Sequence, residues 1–287
     1  MLIKKEDDVI EIPLEDIASI LLEDPLAKIT GVLLSELASY YIVLITCDKH
    51  YLPSSMTIPM NRHYREFKVF EKQLNIKKTV QSQIWSKIIA YKLENQIATL
   101  TICGCDDDRI MTMKIIKDDI KSGDKTNREA VGAKIFFTTL YGNTFVRNQN
   151  GSDGMNMALN YGYSIMASSL TRILAMYGFH TMIGIHHESK TNSYNLSYDF
   201  VEPFRAIVDL YVFKHRDDIY DPLSKEIRLG LIELLQESVV LNDKHYSVQN
   251  AMEELVKSYI RCLDEQDSSY LLLPYIEYDE PNRNNKL

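Results

Sequence analysis

The hydrophobic period changes once along this chain, and that change limits what it can fold into. In the first sixty residues, apolar positions come in short β-branched runs. Val9, Ile10 and Ile12 form one, and residues 17–22 form a second beyond Pro13. Residues 40–46 read as a buried strand. Before it, 30–38 reads as a short helix with Val32, Leu33 and Leu37 on one face. Pro53 and Pro59 close the region. Past residue 79 the spacing becomes three to four, through Val80, Ile84, Ile88, Leu93 and Ile97. Asn127 as cap and Gly142 as stop predict a helix over 128–141. Met155, Leu159, Met166, Leu170, Ile173 and Tyr177 mark a long helix that ends at Gly178. Ser224 opens another, with Ile227, Leu231 and Leu234 inward. Ser247 opens one more, with Val248, Met252, Leu255, Tyr259 and Cys262 on one stripe. The pattern predicts an α+β fold: a small N-terminal β-rich domain over 1–66, a basic linker over 67–78, and a large α-helical domain over 79–287.

Charge is distributed unevenly over this plan. The chain of 287 residues carries 40 acids against 32 bases, a net charge of -8. A generic cationic nucleic-acid coat is excluded, and any nucleic-acid contact must use a local basic stripe. Residues 61–78 supply one, with Arg62, Arg65, Lys68, Lys72, Lys77 and Lys78 against Glu66 and Glu71, and His63, Tyr64 and Phe67 interleaved. The front apolar run 40–45 is far too short for a membrane span. The opening, which turns acidic at Glu6, is unlike a signal peptide. The cysteines Cys47, Cys103, Cys105 and Cys262 lack zinc-pair spacing and read as reduced thiols of a cytoplasmic protein.

Three places could carry chemistry. Glu129 follows Asn127-Arg128 at a helix start, where the helix dipole also favours a carboxylate for structural reasons. Gly184-Ile185-His186-His187-Glu188 holds a histidine pair without the His-Glu-x-x-His spacing of zinc proteases. Alternation would point the two rings opposite ways, leaving one as a ligand and one as structure. In 195–205, Asp199, Glu202 and Arg205 recur every third residue and share a helical face, which could equally be a solvated ion-pair row. Pro203 lacks the N–H that would bond the Asp199 carbonyl, so a helix here should kink between its two acids. A glutamate, a histidine and further acids suit Mg²⁺ or Mn²⁺ better than zinc. Such a site does phosphodiester chemistry. No Walker loop, Rossmann glycine fingerprint or Gly-x-Ser-x-Gly elbow competes.

These motifs together resemble a known family. The residues are Arg128-Glu129 ahead of Ile135-Phe136-Phe137, then Asn156-Met157-Ala158-Leu159-Asn160-Tyr161-Gly162-Tyr163, then Gly184-Ile185-His186-His187, then Asn195-Leu196 with Asp199 and Glu202-Pro203-Phe204-Arg205. In that order they resemble the CRISPR-associated integrase family, Cas-one, most closely its members from type II systems. The resemblance covers most of the chain. It implies a catalytic metal site of Glu129, His187 and Glu202, with Asp199, Arg205, Asn156 and Tyr161 in support. It implies Mg²⁺ or Mn²⁺ as cofactor. The activity implied is integration of short DNA fragments into a CRISPR array, by attack of the fragment's 3′-hydroxyl on a repeat-end phosphodiester, and cleavage of double-stranded or branched DNA. Arg62, Arg65, Lys68 and Lys72 would face that DNA. The implied partners are a second copy of the chain, a Cas-two dimer and, in type II systems, Csn-two and Cas-nine. One departure is that the family carries a further strand pair ahead of the segment matching Leu2-Ile3-Lys4.

Two other readings of the same residues stand beside this one. A structure-selective nuclease with no integration role would differ only in the attacking oxygen. A non-catalytic scaffold for DNA and proteins would have no need for Glu129, His187 and Glu202 to converge.

Overall fold

Strands dominate the first part of the chain because β-branched runs there are too short for helices and are broken by proline and turn residues. The computed structural model describes residues 1–5, 8–24, 26–48, 53–57, 66–149, 151 and 153–278. A hairpin pairs β1 (Leu2–Lys5) with β2 (Asp8–Glu11) in antiparallel register, Ile3 opposite Ile10. A second sheet has the order β3 (Ser19–Leu22), β4 (Val43–Cys47), β5 (Pro53–Thr57). Strands β3 and β4 run parallel, as they can because helix α1 (Gly31–Ser39) crosses between them. Thr30 caps α1 by accepting from the Leu33 amide. Leu37, Ile42 and Leu44 form a small core under this sheet.

The rest is helical around one large core. The expected linker over 67–78 is mostly helix α2 (Glu66–Leu74), followed at once by α3 (Lys78–Ile102). Val69 and Gln73 of α2 are buried, so this segment packs instead of bridging. Helix α3 buries residues on every side, including Ile84, Trp85, Ile88, Ile89, Leu93 and Ile97, and is the axis of the domain. Around it lie α4 (Asp107–Asp118), α5 (Arg128–Tyr141), α6 (Gly154–Met176), α7 (Asn195–Val201), α8 (Arg205–Lys214), α9 (Lys225–Glu233) and α10 (Val248–Glu265). Ser224 and Ser247 cap α9 and α10 as the sequence predicts. Between these two helices the chain forms an antiparallel hairpin, β6 (Ser238–Leu241) with β7 (Lys244–Ser247). Its turn, Asn242-Asp243, has both residues at positive φ, the geometry that suits a two-residue hairpin loop.

The β-rich part is tied to the helices by charge. Arg228 on α9 donates Nε and Nη2 to the two oxygens of Glu23 at 2.8 and 3.1 Å, and Tyr161 on α6 donates to the same carboxylate at 3.3 Å. Arg172 of α6 reaches the Tyr41 carbonyl at 3.2 Å. No described helix is long and apolar enough to cross a membrane.

Candidate active site

Glu129 is placed by a cap that lies upstream of the expected one. Asn127 adopts a left-handed backbone, φ 52°, and its side chain caps nothing. The carboxylate of Asp124, itself buried, accepts instead from the amides of Arg128 and Glu129 at 2.8 and 3.0 Å. This satisfies two of the free N–H groups of α5 and sets where Glu129 leaves the helix. The Glu129 Oε1 then meets the Lys92 ammonium of α3 at 2.6 Å.

Glu202 reaches the same ammonium from another element. Helix α7 ends at Val201, residues 202–204 form a 3₁₀ turn, and α8 begins at Arg205, so the kink expected at Pro203 takes the form of a 3₁₀ interruption. Asn95, on α3 like Lys92, holds this turn by donating to the Pro203 carbonyl at 2.7 Å. The Glu202 side chain is 4% exposed; Arg205 Nε meets its Oε1 at 2.9 Å and Lys92 Nζ its Oε2 at 2.5 Å. That Oε2 is nonetheless off the line of a well-formed hydrogen bond. Burial alone would raise the Glu202 carboxyl, but Arg205 and Lys92 outweigh it and hold it down at about 2. Burial would likewise lower the Lys92 ammonium, and the two glutamates raise it instead.

His187 is fixed by one buried carboxylate. Asp199, 0% exposed on α7, accepts from the amides of Ile185 at 2.5 Å, His186 at 3.1 Å and His187 at 3.1 Å, and pairs with His187 Nδ1 at 2.7 Å. A side chain at Gly184 is impossible here, because its Cβ would sit 2.3 Å from the His187 carbonyl oxygen and 2.8 Å from Asp199 Oδ2. Gln73 of α2 braces the same loop, accepting from the His180 amide at 2.9 Å and donating to the His180 carbonyl at 3.2 Å. The two histidine rings lie at 81° and do different things. His186 stacks on the chain's sole tryptophan, Trp85, with centroids 4.2 Å apart, while His187 keeps Nε2 free of any hydrogen bond among the described residues. The bond to Asp199 raises the His187 pKa against the opposing effect of burial, and the fields of Glu202 and Glu129 add to the rise.

Two carboxylates and an imidazole backed by a carboxylate fit the donor set of Mg²⁺ or Mn²⁺. As the side chains stand, no three His, Cys, Asp or Glu residues among those described are close enough to hold one ion. The Lys92 ammonium lies between the two glutamates. A groove of about 430 Å³ opens beside His187, lined also by Lys78, Gln81, Lys190, Asn192 and Tyr259.

The other residues singled out by sequence fall in several places. Arg205 belongs to the cluster, and its guanidinium also lies 4.5 Å from the Tyr163 ring centre. Tyr161 turns to Glu23 instead, at the junction with the β-rich part. Tyr163, two residues on and therefore on the opposite side of α6, is the tyrosine that reaches Arg205; its hydroxyl donates to buried Asp209. Asn156 organises the loop before α6, accepting from Asn148 N at 2.8 Å and Arg147 Nη1 at 3.0 Å and donating to the Val146 carbonyl at 3.0 Å. Arg147 in turn lies over the Tyr163 ring, 5.2 Å from its centre. Lys68 is exposed on α2, whereas Lys72 is ion-paired with Asp264. Arg62 and Arg65 lie outside the described residues. Lys92 escaped the sequence reading. Its signal was a lysine among Ile88, Ile89 and Leu93 in an otherwise apolar stretch.

Comparison with known proteins agrees with this architecture. Residues 1–218 match the family model described as CRISPR associated protein Cas1. The chain is 33% identical, over 96% of its length and 90% of the relative's, to the CRISPR-associated endonuclease Cas1 of Neisseria meningitidis serogroup C (strain 8013). Among solved structures it is similar to a casposase bound to integration product, TM-score 0.75 at 18% identity, over 92% of this chain and 84% of that one. It is also similar to the Cas6-RT-Cas1–Cas2 complex, TM-score 0.74 at 20% identity, over 94% of this chain and 33% of that one. The chain belongs to the CRISPR-associated Cas1 family.

Proposed function

We propose that this protein is a metal-dependent DNA endonuclease and integrase of CRISPR adaptation. The observation that carries the reading is the meeting of Glu129 and Glu202, from separate elements, on one ammonium, beside a His187 ring oriented by Asp199. Glu129, His187 through Nε2, and Glu202 would hold Mg²⁺ or Mn²⁺. An ion held there would supply positive charge for phosphodiester chemistry.

The chain's own residues do the rest. Asp199 occupies His187 Nδ1 and so commits the other ring nitrogen to the site. Arg205 keeps Glu202 ionised, and therefore able to bind a cation, in a place where burial alone would protonate it. The groove beside His187, with Lys78 and Lys190 at its wall, admits a strand end. In integration the 3′-hydroxyl of a short DNA fragment attacks the repeat phosphodiester. One P–O bond forms, one breaks, and the leaving 3′-oxygen takes the proton. In cleavage water takes the place of that hydroxyl.

Lys68 and the basic run that includes Arg62 and Arg65 contact phosphates of double-stranded or branched DNA. Lys72 contributes only if it leaves Asp264. The chain acts as a homodimer joined through the β-rich part, where Leu2, Ile3, Val9 and Ile10 of the β1–β2 hairpin are exposed. It assembles with a Cas-two dimer, and with Csn-two and Cas-nine in a type II system.

The test offers purified protein with Cas-two a 3′-hydroxyl donor and a CRISPR repeat in Mn²⁺. His187→Ala should lose strand transfer and cleavage by about a hundredfold or more while DNA affinity stays within about threefold. His186→Ala should keep most of the activity. Cleavage without any strand transfer would reduce the protein to a structure-selective nuclease. Full activity in His187→Ala would remove the site.

A further inference from the structure

We propose that Lys92 is a built-in counter-cation that holds the metal position of the free protein, so that loading the site is an ion exchange. The inference rests on the metal reading above and adds a residue and an order of events to it. Glu129 and Glu202 come from elements far apart in sequence, and two bare carboxylates so placed would repel. The Lys92 ammonium stands 2.6 Å from one and 2.5 Å from the other, on a side chain only 8% exposed. It therefore keeps the pair assembled when no metal is bound.

The surroundings decide which part can move. Asn95, one helical turn on, grips the Pro203 carbonyl at 2.7 Å, so the backbone of α3 is locked to the turn that carries Glu202. Asp124 pins the start of α5, which carries Glu129. Arg205 engages Oε1 of Glu202 and leaves Oε2 facing the ammonium without a well-directed hydrogen bond. The Glu202 carboxylate is held by Arg205 and the Glu129 backbone by Asp124, and the exchange moves the four-carbon stem of Lys92. Charge points the same way. The carboxylates of Glu129, Glu202 and Asp199 face Lys92 and Arg205, so with His187 a neutral ligand an added divalent ion would leave one uncompensated positive charge. Departure of the ammonium removes that excess and frees the oxygens facing it. A lysine suits this role, because a compact charge on a flexible stem can leave where a forked guanidinium would stay.

The test uses Mn²⁺ alone, without DNA. Isothermal titration calorimetry compares the wild-type protein with Lys92→Met, while thermal unfolding follows both with and without Mn²⁺. Lys92→Met should bind Mn²⁺ about tenfold more tightly or better, equivalent to about 1.4 kcal/mol. Its metal-free form should melt lower than wild type, and Mn²⁺ should raise its melting point by more. In wild type, pulse labelling with an amine-reactive reagent, read by peptide mass spectrometry, should show Lys92 labelling rise several-fold when Mn²⁺ is added. This arm decides the matter if Lys92→Met does not fold. Labelling of Lys92 that stays flat while Mn²⁺ binds overturns the exchange and leaves the metal site intact, as does equal or weaker binding by the variant. Absence of Mn²⁺ binding in both proteins overturns the metal reading and the exchange together.

Discussion

Replacing Asp199 by asparagine tests how the histidine loop is held. The side chain keeps its size, so no cavity forms, and only the acceptor pattern changes. Asp199 now takes two donors on each oxygen: Ile185 N and His186 N on Oδ2, His187 N and Nδ1 on Oδ1. An asparagine offers one oxygen and turns an NH₂ group toward the other two donors. With the NH₂ toward Ile185 and His186 both amides lose their acceptor; with it toward His187 that amide loses its acceptor while the ring can change tautomer and accept at Nδ1. The loss is therefore at least that of one unpaired amide, about 1–3 kcal/mol. Because the loop can open without the rest of the domain, local release sets the observable. Amide exchange at residues 185–187 should accelerate at least about fivefold, the equivalent of about 1 kcal/mol. Hydrogen-exchange mass spectrometry on peptides covering this loop, with a distant α10 peptide as control, measures it. The pH dependence gives a second readout. Asp199 raises the His187 pKa, so the pair's contribution to stability is complete below about pH 6.5, the ring's ordinary value, and is lost as pH rises through the raised one. The stability gap between wild type and Asp199→Asn should therefore be wider at acidic than at alkaline pH. Exchange at 185–187 within about threefold of wild type, with a pH-independent gap, would refute the reasoning.

Gly184→Ala should loosen the same loop by about 1–3 kcal/mol through overpacking, seen as faster proteolytic nicking near residue 184. Glu202 is held at about 2 against an ordinary 4.5, so its contribution is present above pH 4.5 and lost as pH falls through about 2. Over that window wild type should lose about 3 kcal/mol that Glu202→Gln does not, a difference that urea midpoints at several pH values would show. Burial raises Asp209 to about 7 despite Tyr163 and Arg205, so its contribution is complete below pH 3.8 and is lost as pH rises through about 7. Asp209→Asn should gain on wild type by up to about 4 kcal/mol between pH 4 and pH 8, and a gap that narrows in the opposite direction would contradict the burial argument. Glu23→Gln should weaken the seat of the β-rich part on α9 by about 1–2 kcal/mol, read as increased exchange in β3 and β4 with the helical core unchanged.

Local hydrogen bonding and period made much of this protein legible in sequence. The limits of α5, the serine caps of α9 and α10 and the kink at Pro203 depend on donors and acceptors within a few residues, so the sequence carries them directly. The β6–β7 hairpin turns on two adjacent residues at positive φ, Asn242 and Asp243, yet the helical period on either side of it hid it from the sequence reading. Alternation left open which histidine serves the site; in the fold His186 stacks on Trp85 and His187 pairs with Asp199. Packing decided the rest. Asp124 took the cap from Asn127 because the chain enters α5 through a left-handed residue. Tyr161 and Tyr163 are equivalent in any motif, and only the position of α6 between Glu23 on one side and Arg205 on the other separates them. Lys92 joins acids contributed by two other elements, and no local pattern encodes a contact between residues that only folding brings together. A lysine in an apolar stretch announces that a buried charge needs partners; which carboxylates they are is settled by how α3, α5 and the 202–204 turn pack.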